Sequence, residues 1–328
     1  MISVVVATYN GEKFITEQLN SIKNQNCQPD EVIIRDDRSS DATAEIVRKY
    51  IKENNLINWD FEINSENKGY KKNFYDLLKL AKGDLIFLSD QDDVWMNNKL
   101  AVMKNIMEQN KKIETLNSGI QLVDQNLKRI ELGLRKNFYN ANFIYSDHKL
   151  EELNYFKLED MIERNISPGC SMCITKELRN QFITTYNFVL PHDWYMNLLA
   201  SLNGNCCFVN IKLINYRIHQ KNTIGLSTKW DIRTKLHSYE EDRKKRIKKF
   251  AELSESFQNI VDNYELEEGE KVRLQGYLKA RLDFLITPNL YNLNKLRKFP
   301  EYLRSTTLRG KIWNLILSLH LDRFILNK

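Results

Sequence analysis

Three aspartates, Asp90, Asp92 and Asp93, follow closely on the apolar run Leu85–Leu88. Carboxylates so near one another repel, and the repulsion raises their pKa values unless a cation lies among them. A divalent metal is the simplest such cation, and hard carboxylate oxygens beside a phosphate-bearing substrate suit Mg²⁺ or Mn²⁺. Aspartates are also favourable at the start of a helix, so the cluster alone leaves a metal site and a helix N-terminus both open.

The elements that must position this cluster alternate between strand-like and helix-like patterns, as in βαβ units. We therefore predict an α/β fold: an open, mostly parallel sheet with helices on both faces. The predicted strands are 2–7, 31–35, 61–64 and 85–88, and the predicted helices between them are 15–22, 41–50 and 73–82.

Polar segments follow each of the four predicted strands, and ligands bind such sheets beyond the carboxyl ends of the strands. We expect these segments to converge on one site. The sequence contains no Gly-x-Gly-x-x-Gly and no P-loop motif, which argues against a dinucleotide fold and a P-loop phosphate cradle. The converging segments are Thr8–Gly11, Asp36–Asp41, Asn67–Gly69 and Ser89–Asp93.

As an ordered set of motifs over residues 1–228, the sequence resembles the inverting glycosyltransferases of family two, which have the GT-A fold. Asp90-Gln91-Asp92 matches the family's Asp-x-Asp signature. Arg38 departs from the pattern, because the family usually has a glycine there and glycine adopts turn conformations more readily. Ser89–Trp95 and His192–Trp194 are most similar to the rhamnosyltransferase-like branch. The other matching segments are Ala7–Asn10, Asp36–Asp41, Pro191–Trp194 and Tyr216–His219.

The resemblance implies a metal-dependent transfer of a sugar from a nucleoside-diphosphate sugar, dTDP-rhamnose or a UDP-hexose, to a hydroxyl of a growing bacterial surface glycan. Asp92 and His219 would hold Mg²⁺ or Mn²⁺, and Asp193 would be the base that deprotonates the acceptor. A single base implies inversion at the anomeric carbon. The implied contacts to the nucleotide are Thr8, Tyr9, Asp37 and Asp90.

Plain structural alternatives exist for two of these residues. A lone histidine such as His219 is often a structural hydrogen-bonding group. Asp193 suits the capping of a helix that begins at Trp194, a role that is compatible with that of a base.

Two other function classes compete with a glycosyltransferase. A sugar nucleotidyltransferase needs a Gly-rich, Arg-containing loop after its first strand, where this chain has Thr8–Gly11. A non-catalytic carbohydrate-binding scaffold would not need Asp92, Asp193 and His219 together. Both alternatives are therefore less favoured.

Composition and patterning divide the chain into two regions. Residues 1–228 form the predicted catalytic domain, with a nucleotide-binding half (1–95) and an acceptor half (96–228), and residues 229–328 form a helical region. In the acceptor half we predict helices over 99–109, 158–164 and 194–202, a hairpin over 119–130 and a strand over 206–214. The helices predicted beyond residue 228 include 239–261 and 271–285.

The net charge of +6 arises from the C-terminal region, and no nucleic-acid motif accompanies it. Basic and apolar residues interleave over 304–328, including Arg304, Arg309, Lys311 and Arg323, which is typical of a helix that lies in a membrane interface. Packing on the catalytic domain or a homo-oligomer contact would explain the apolar face equally well. Acceptors in such pathways are commonly lipid-linked glycans, which favours peripheral membrane contact.

Cysteine usage and the apolar runs favour a cytoplasmic location. Five cysteines, an odd number, fit a reducing compartment, and no signal peptide or membrane-spanning run is predicted. Cys170 and Cys173, with the adjacent Cys206 and Cys207, lack the paired spacing of a zinc site. We therefore predict that these four cysteines are buried small hydrophobic residues.

Overall fold

A mixed sheet of nine strands organises the first part of the chain. The structure is a computed structural model that describes residues 1–131, 144, 149–219 and 239–322. The chain divides into two units, Met1–Leu226 and Ser227–Lys328. The strands of the first unit are β1 (Ile2–Thr8), β2 (Glu31–Asp36), β3 (Trp59–Ile63), β4 (Leu85–Ser89), β5 (Val94–Trp95), β6 (Thr115–Val123), β7 (Leu153–Phe156), β8 (Met172–Thr175) and β9 (Cys206–Arg217).

The sheet is mixed, and its longest pairings are parallel, as predicted for the first four strands. β1 lies between β2 and β4, β3 adds outside β2, and these three pairings are all parallel. The sheet then continues from β4 through β8 and β6 to β9 and β5. β8 pairs antiparallel with β4 and β6, β6 and β9 pair in parallel, and β5 and β7 run antiparallel to β9.

The side chains of β1 alternate between the two faces of the sheet. Both sets are apolar, and helices cover both faces. Val4 and Val6 belong to the core cluster formed with α1 and α2. Val5 is equally buried and must face the other way, and α3 contacts β1 as well. The helices of this unit are α1 (Ile15–Lys23), α2 (Thr43–Glu53), α3 (Tyr70–Leu80), α4 (Lys99–Gln109), α5 (Leu158–Met161), α6 (Lys176–Thr185) and α7 (His192–Leu202), with a 3₁₀ turn over Gly169–Ser171.

Several elements differ from the sequence predictions in extent. The strand predicted over 206–214 continues to Arg217, and the helix predicted over 158–164 ends at Met161. The hairpin predicted over 119–130 begins with a long strand, β6, which ends at Val123. The chain then turns back, and an isolated bridge pairs Val123 with Arg129. Sequence patterning missed β5, β7, β8 and α6. The strand β5 has two residues, and β7 and β8 have four each, too few for an alternation to be read.

The second unit is helical, as predicted. α8 and α9 pack against each other through residues such as Phe257 and Tyr277, which are fully buried. The segment predicted as one helix from residue 304 is broken near Thr306, and Arg323 lies outside the described residues. The helices are α8 (Tyr239–Asn263), α9 (Glu268–Ile286), α10 (Leu290–Leu296), α11 (Pro300–Ser305) and α12 (Leu308–Ser318).

Within the described ranges, none of the helices combines the length and the apolar character that crossing a bilayer would require.

Candidate functional site

The ends of β1 and β2 are joined by a buried side-chain contact. Thr8 and Asp36 are partners in the parallel register, and Thr8 Oγ1 donates a hydrogen bond of 2.8 Å to Asp36 Oδ1. The Asp36 carboxylate also accepts hydrogen bonds from the backbone N–H and the hydroxyl of Ser39. Thr8 is 1 % exposed, so its side chain shapes the loop that was predicted to bracket the nucleotide.

Asp37 ties the end of β2 to the loop that precedes α3. Its carboxylate accepts hydrogen bonds from Asn64 Nδ2 at 2.9 Å and from the backbone N–H groups of Lys68 and Gly69, each at 2.8 Å. The predicted nucleoside contact thus lies at the expected edge of the sheet. Most of its hydrogen-bonding capacity organises the loop that begins α3.

Arg38 adopts the left-handed conformation, with φ of 62°, that the glycine usual in the family adopts without strain. Its guanidinium Nη1 donates a hydrogen bond of 3.0 Å to the carbonyl oxygen of Ser65. Arg38 therefore accommodates a turn with positive φ, and its side chain contacts the next loop.

Gln91, the middle residue of Asp90-Gln91-Asp92, joins the acidic loop to the end of β1. Tyr9 N–H donates to Gln91 Oε1 at 2.7 Å, and Gln91 Nε2 donates back to the Tyr9 carbonyl at 2.8 Å. A Cβ atom at Gly11 would stand 2.2 Å from Gln91 Oε1, so the glycine makes room for this pair. Tyr9 remains 48 % exposed at the edge of the site.

Asp92 and His219 meet at the other side of the acidic loop. His219 Nε2 lies 2.9 Å from Asp92 Oδ2, and both side chains keep part of their surface exposed, 13 % and 19 % respectively. The pairing of β5 with β9 brings these residues together although the sequence separates them by 127 positions. The two predicted metal ligands thus adjoin one another.

A fully buried arginine, Arg217, holds the acidic loop against the end of β9. Its Nε donates to the Asp92 carbonyl at 2.8 Å and its Nη1 to the Gln125 carbonyl at 2.6 Å. Its Nη2 forms an ion pair with Glu17 of α1. Its backbone N–H donates to Asp93 Oδ1 at 3.0 Å. Arg217 therefore fixes the positions of both Asp92 and Asp93.

The acidic loop carries more negative charge than its surroundings stabilise. Burial and the nearby carboxylates of Asp92, Asp93 and Asp193 raise the pKa of Asp90 well above its usual range. Burial, followed by the charge of Asp92, raises the pKa of Asp93 to about 7. Asp93 Oδ2 has no hydrogen-bond partner among the described residues. Such unrelieved repulsion is the electrostatic condition that a bound divalent cation removes.

The donor chemistry identifies which residues fit a metal. A carboxylate oxygen of Asp92 and an imidazole nitrogen of His219, both partly exposed, suit Mn²⁺ or Mg²⁺ that retains water and binds a diphosphate. Asp90, Asp93 and Cys170 also place donor atoms within 4.8 Å of one another. Burial raises the pKa of the Cys170 thiol, and a protonated thiol is a poor ligand for such hard ions.

Asp193 lies in the first turn of α7, which begins at His192 and not at Trp194 as predicted. Its Oδ1 accepts a hydrogen bond from Trp194 N–H and its Oδ2 accepts one from Asn165 Nδ2, each at 2.9 Å. Burial raises the pKa of Asp193 to about 6. The Asp193 charge also contributes to the raised pKa of Asp90, so the two carboxylates are electrostatically coupled.

The four cysteines of the alternative zinc pattern are free and buried, as predicted. Sequence reasoning did not assign roles to Gln91, Arg217 and Asn165. Gln91 and Arg217 lie inside segments that match the family's motifs. Their position next to predicted site residues could have indicated a role in the site. Asn165 has no local pattern around it, so only the fold brings it to Asp193.

Comparisons with known proteins agree with this architecture. The sequence model described as "Glycosyl transferase family 2" matches residues 3–174. The dTDP-rhamnosyl transferase RfbG of Shigella flexneri is 28 % identical over 242 residues, 70 % of this chain and 77 % of that protein. The poly(ribitol-phosphate) beta-N-acetylglucosaminyltransferase TarS of Staphylococcus aureus is 43 % identical over 93 residues, 28 % of this chain but only 16 % of that protein.

Solved structures show the same fold at low sequence identity. The S. aureus TarS 1–349 structure in complex with UDP-GlcNAc has a TM-score of 0.59 at 20 % identity, with 98 % of this chain and 92 % of that chain covered. The mannosyltransferase PcManGT of Pyrobaculum calidifontis, solved with GDP-Man and Mn²⁺, has a TM-score of 0.54 at 15 % identity, covering 99 % and 83 %. Because the family match extends over more than half of the sequence, this chain belongs to glycosyl transferase family 2 and is a glycosyltransferase with the GT-A fold.

Proposed function

We propose that this protein transfers a sugar from a nucleoside-diphosphate sugar to a hydroxyl of a bacterial surface glycan, with a divalent cation and with inversion at the anomeric carbon. The observation that carries the proposal is the acidic loop. On one side of it Asp92 meets His219 at 2.9 Å, and Asp90 is electrostatically coupled to Asp193. Residues that stabilise the leaving diphosphate and a base that deprotonates the acceptor would thus belong to one site.

Departure of the diphosphate is the first chemical requirement. Asp92 and His219 would hold Mg²⁺ or Mn²⁺, which neutralises the charge that develops on the leaving diphosphate. Arg217 keeps the Asp92 carbonyl and the Asp93 carboxylate in place. Preorganised groups of this kind avoid reorganisation during the reaction.

Nucleotide binding is assigned to the ends of β1, β2 and β4. The exposed Tyr9 ring and the Asp90 carboxylate would contact the nucleoside. Thr8 and Asp37 would act chiefly by fixing the loops, because their polar atoms are engaged within the protein.

Asp193 would remove the proton from the acceptor hydroxyl. A carboxylate with a pKa of about 6 is mostly ionised at neutral pH, and it is a stronger base than an ordinary aspartate. Because no second carboxylate acts as a nucleophile in this scheme, one displacement with inversion follows.

The donor is proposed to be dTDP-rhamnose, with UDP-GlcNAc as the second candidate. The first is favoured by the similarity to a relative named as a dTDP-rhamnosyl transferase, which extends over 70 % of this chain. The second is favoured by the likeness to a structure solved with UDP-GlcNAc. Hydrolysis of a panel of nucleotide sugars with Mn²⁺ separates the two.

A lipid-linked acceptor at the cytoplasmic face of the membrane is also proposed, on the evidence of α12. This helix buries the polar residues Asn314 and Ser318 and exposes apolar ones. Basic residues, including the exposed Arg309, lie alongside, as in helices that bind anionic interfaces. The exposed apolar residues, here called the Leu308 face, are Leu308, Ile312, Leu315 and Leu319.

We expect the Asp92→Asn and His219→Ala variants each to lower turnover by about 100-fold or more, because the leaving diphosphate loses its counter-charge. Mn²⁺ titration followed by electron paramagnetic resonance, with nucleoside diphosphate present, should show weakened binding in both. Asp84→Asn is the matched control, since this exposed aspartate lies just before β4 and pairs with the N-terminal ammonium. Native Mn²⁺ affinity in both site variants, or full turnover with a chelator, would contradict the metal assignment.

The Asp193→Asn variant should lose transfer by about 100-fold or more while nucleotide binding persists, because the amide keeps the shape but cannot accept the proton. In the native enzyme, turnover should rise with pH through about 6, as Asp193 loses its proton, and this rise should be absent from the residual activity of the variant. Calorimetric titration with nucleoside diphosphate provides the binding control. A variant that retains transfer and loses only stability would show that Asp193 is structural.

Replacing two members of the Leu308 face, in the double variant Leu308→Ser with Ile312→Ser, should reduce flotation with anionic vesicles because apolar burial is lost. Arg309→Glu should weaken binding most at low salt, since each basic residue contributes about 1 kcal/mol near such a surface and salt screens the attraction. Val272→Ser, an exposed apolar position on α9, is the control.

Equal flotation of all these proteins would contradict the membrane assignment. If the native protein sediments as a dimer and the Leu308-face variant does not, with no change in flotation, the Leu308 face would be assigned to contact between copies of the chain.

A further inference from the structure

Three asparagines form a continuous hydrogen-bonded chain that ends on the carboxylate of Asp193. Asn165 Nδ2 donates to Asp193 Oδ2 at 2.9 Å. Asn197 Nδ2 donates to Asn165 Oδ1 at 2.8 Å, and Asn117 Nδ2 donates to Asn197 Oδ1 at 2.9 Å. The residues come from β6, α7 and the segment before the 3₁₀ turn, so no local sequence pattern explains their contact.

The chain is anchored in the middle of the sheet. Asn117 lies in β6 and Asn197 in α7, and both are fully buried. Asn117 Nδ2 also donates to the Cys207 carbonyl of β9 at 3.3 Å. Asn197 and Asp193 are four residues apart in α7 and therefore share one helix face. The carboxylate is thus linked through buried side chains to β6 and β9.

All the amides point in the same direction. An ionised carboxylate only accepts hydrogen bonds, so the Asn165 amide must direct its NH₂ group to Asp193 and its oxygen away from it. The oxygen of Asn165 in turn accepts from Asn197 Nδ2. Between Asn117 and Asn197 the shorter bond, 2.9 Å, continues in this direction, and the reverse contact is 3.5 Å. Aligned amides polarise one another, and this strengthens the bond at the carboxylate end.

We propose that Asn165, Asn197 and Asn117 are positioning residues that orient the Asp193 carboxylate and stabilise its ionised form. The inference rests on the proposed function, in which Asp193 is the base. Burial alone opposes ionisation, and a donated hydrogen bond offsets part of that effect. Because amides do not titrate, the chain supplies this stabilisation at every working pH.

The asparagine variants leave the other titratable residues near Asp193 in place. Asp90, at the end of β4, and Tyr186, after α6, both have pKa values raised in part by the Asp193 charge. His192 stays neutral, because burial lowers its pKa to about 3, with a smaller contribution from Lys71 of α3. A change in the Asp193 pKa in these variants therefore reports on the asparagines.

The central variant is Asn197→Leu, which removes one link with little change in volume. Asn165 Oδ1 still accepts from Ile166 N–H at 3.0 Å, and Asn117 Nδ2 keeps the Cys207 carbonyl, so both amides retain a partner. Asn165→Ala removes the terminal link directly and serves as the second variant. Ser201→Ala, on the same helix, is the control, because its hydroxyl donates to the Leu198 carbonyl of that helix and to none of the three asparagines.

The Asp193 pKa is measured in the full-length protein by carbon-13 NMR of labelled aspartate, with the signal assigned by its loss in Asp193→Asn. We expect the pKa to rise by about half a unit in Asn197→Leu and by about one unit in Asn165→Ala, since a hydrogen bond to the charged form is weakened or lost. Ser201→Ala should leave it unchanged. A second readout is the hydrolysis of dTDP-rhamnose or UDP-GlcNAc, where kcat should fall about 10-fold with KM unchanged.

An unshifted Asp193 pKa in both asparagine variants overturns the proposal, whatever the effect on stability or turnover. If the pKa shifts but Asp193→Asn retains full turnover, the proposed base is wrong while the asparagine chain stands. The two failures are therefore distinguishable.

Discussion

The buried guanidinium of Arg217 is the interaction on which the candidate site depends. Three aspartates after β4 repel one another, and burying the charge of Asp93 without stabilising contacts would cost several kcal/mol. The Arg217 guanidinium bonds the Asp92 carbonyl and pairs with Glu17 of α1, and its backbone N–H donates to the Asp93 carboxylate. Lys99, also fully buried, lies 4.4 Å from the Trp95 ring centre and donates to the Cys170 carbonyl at 2.8 Å. Arg217 therefore fixes the backbone of the acidic loop, and Lys99 places a positive charge near Asp93 and Asp90.

The rest of the site follows from how this loop is held. On one side the Gln91 side chain forms two hydrogen bonds with the backbone of Tyr9, which join the acidic loop to the end of β1. On the other side the end of β9 places His219 against Asp92. Asp193 reaches the same region from α7, where Asn165 fixes its orientation. The groups proposed for leaving-group stabilisation and for proton removal thus lie on separate elements, and each group is held by its own contacts.

Sequence reasoning succeeded where the signal was local. The four parallel strands were readable because continuous apolar runs such as Leu85–Leu88 mark strands buried on both faces. The pairing of Asp92 with His219 was expected only through the order of motifs, since no periodicity links residues so far apart. The clamp of Arg217 and the asparagines behind Asp193 were not predicted, because each contact joins segments that only the folded sheet brings together. Short strands such as β8 were missed for the same reason: their pairing with β4 and β6, more than their own pattern, defines them.

The central claim is that one base, Asp193, acts opposite a diphosphate whose charge is neutralised at Asp92 and His219. The most direct test is the anomeric configuration of the free sugar that the enzyme first releases when it hydrolyses dTDP-rhamnose or UDP-GlcNAc. Proton NMR records this configuration before mutarotation. The account predicts a configuration opposite to that of the donor sugar, because a single displacement inverts the anomeric carbon. A product that retains the donor configuration would require a second displacement or a nucleophile that this site does not provide, and it would contradict the account.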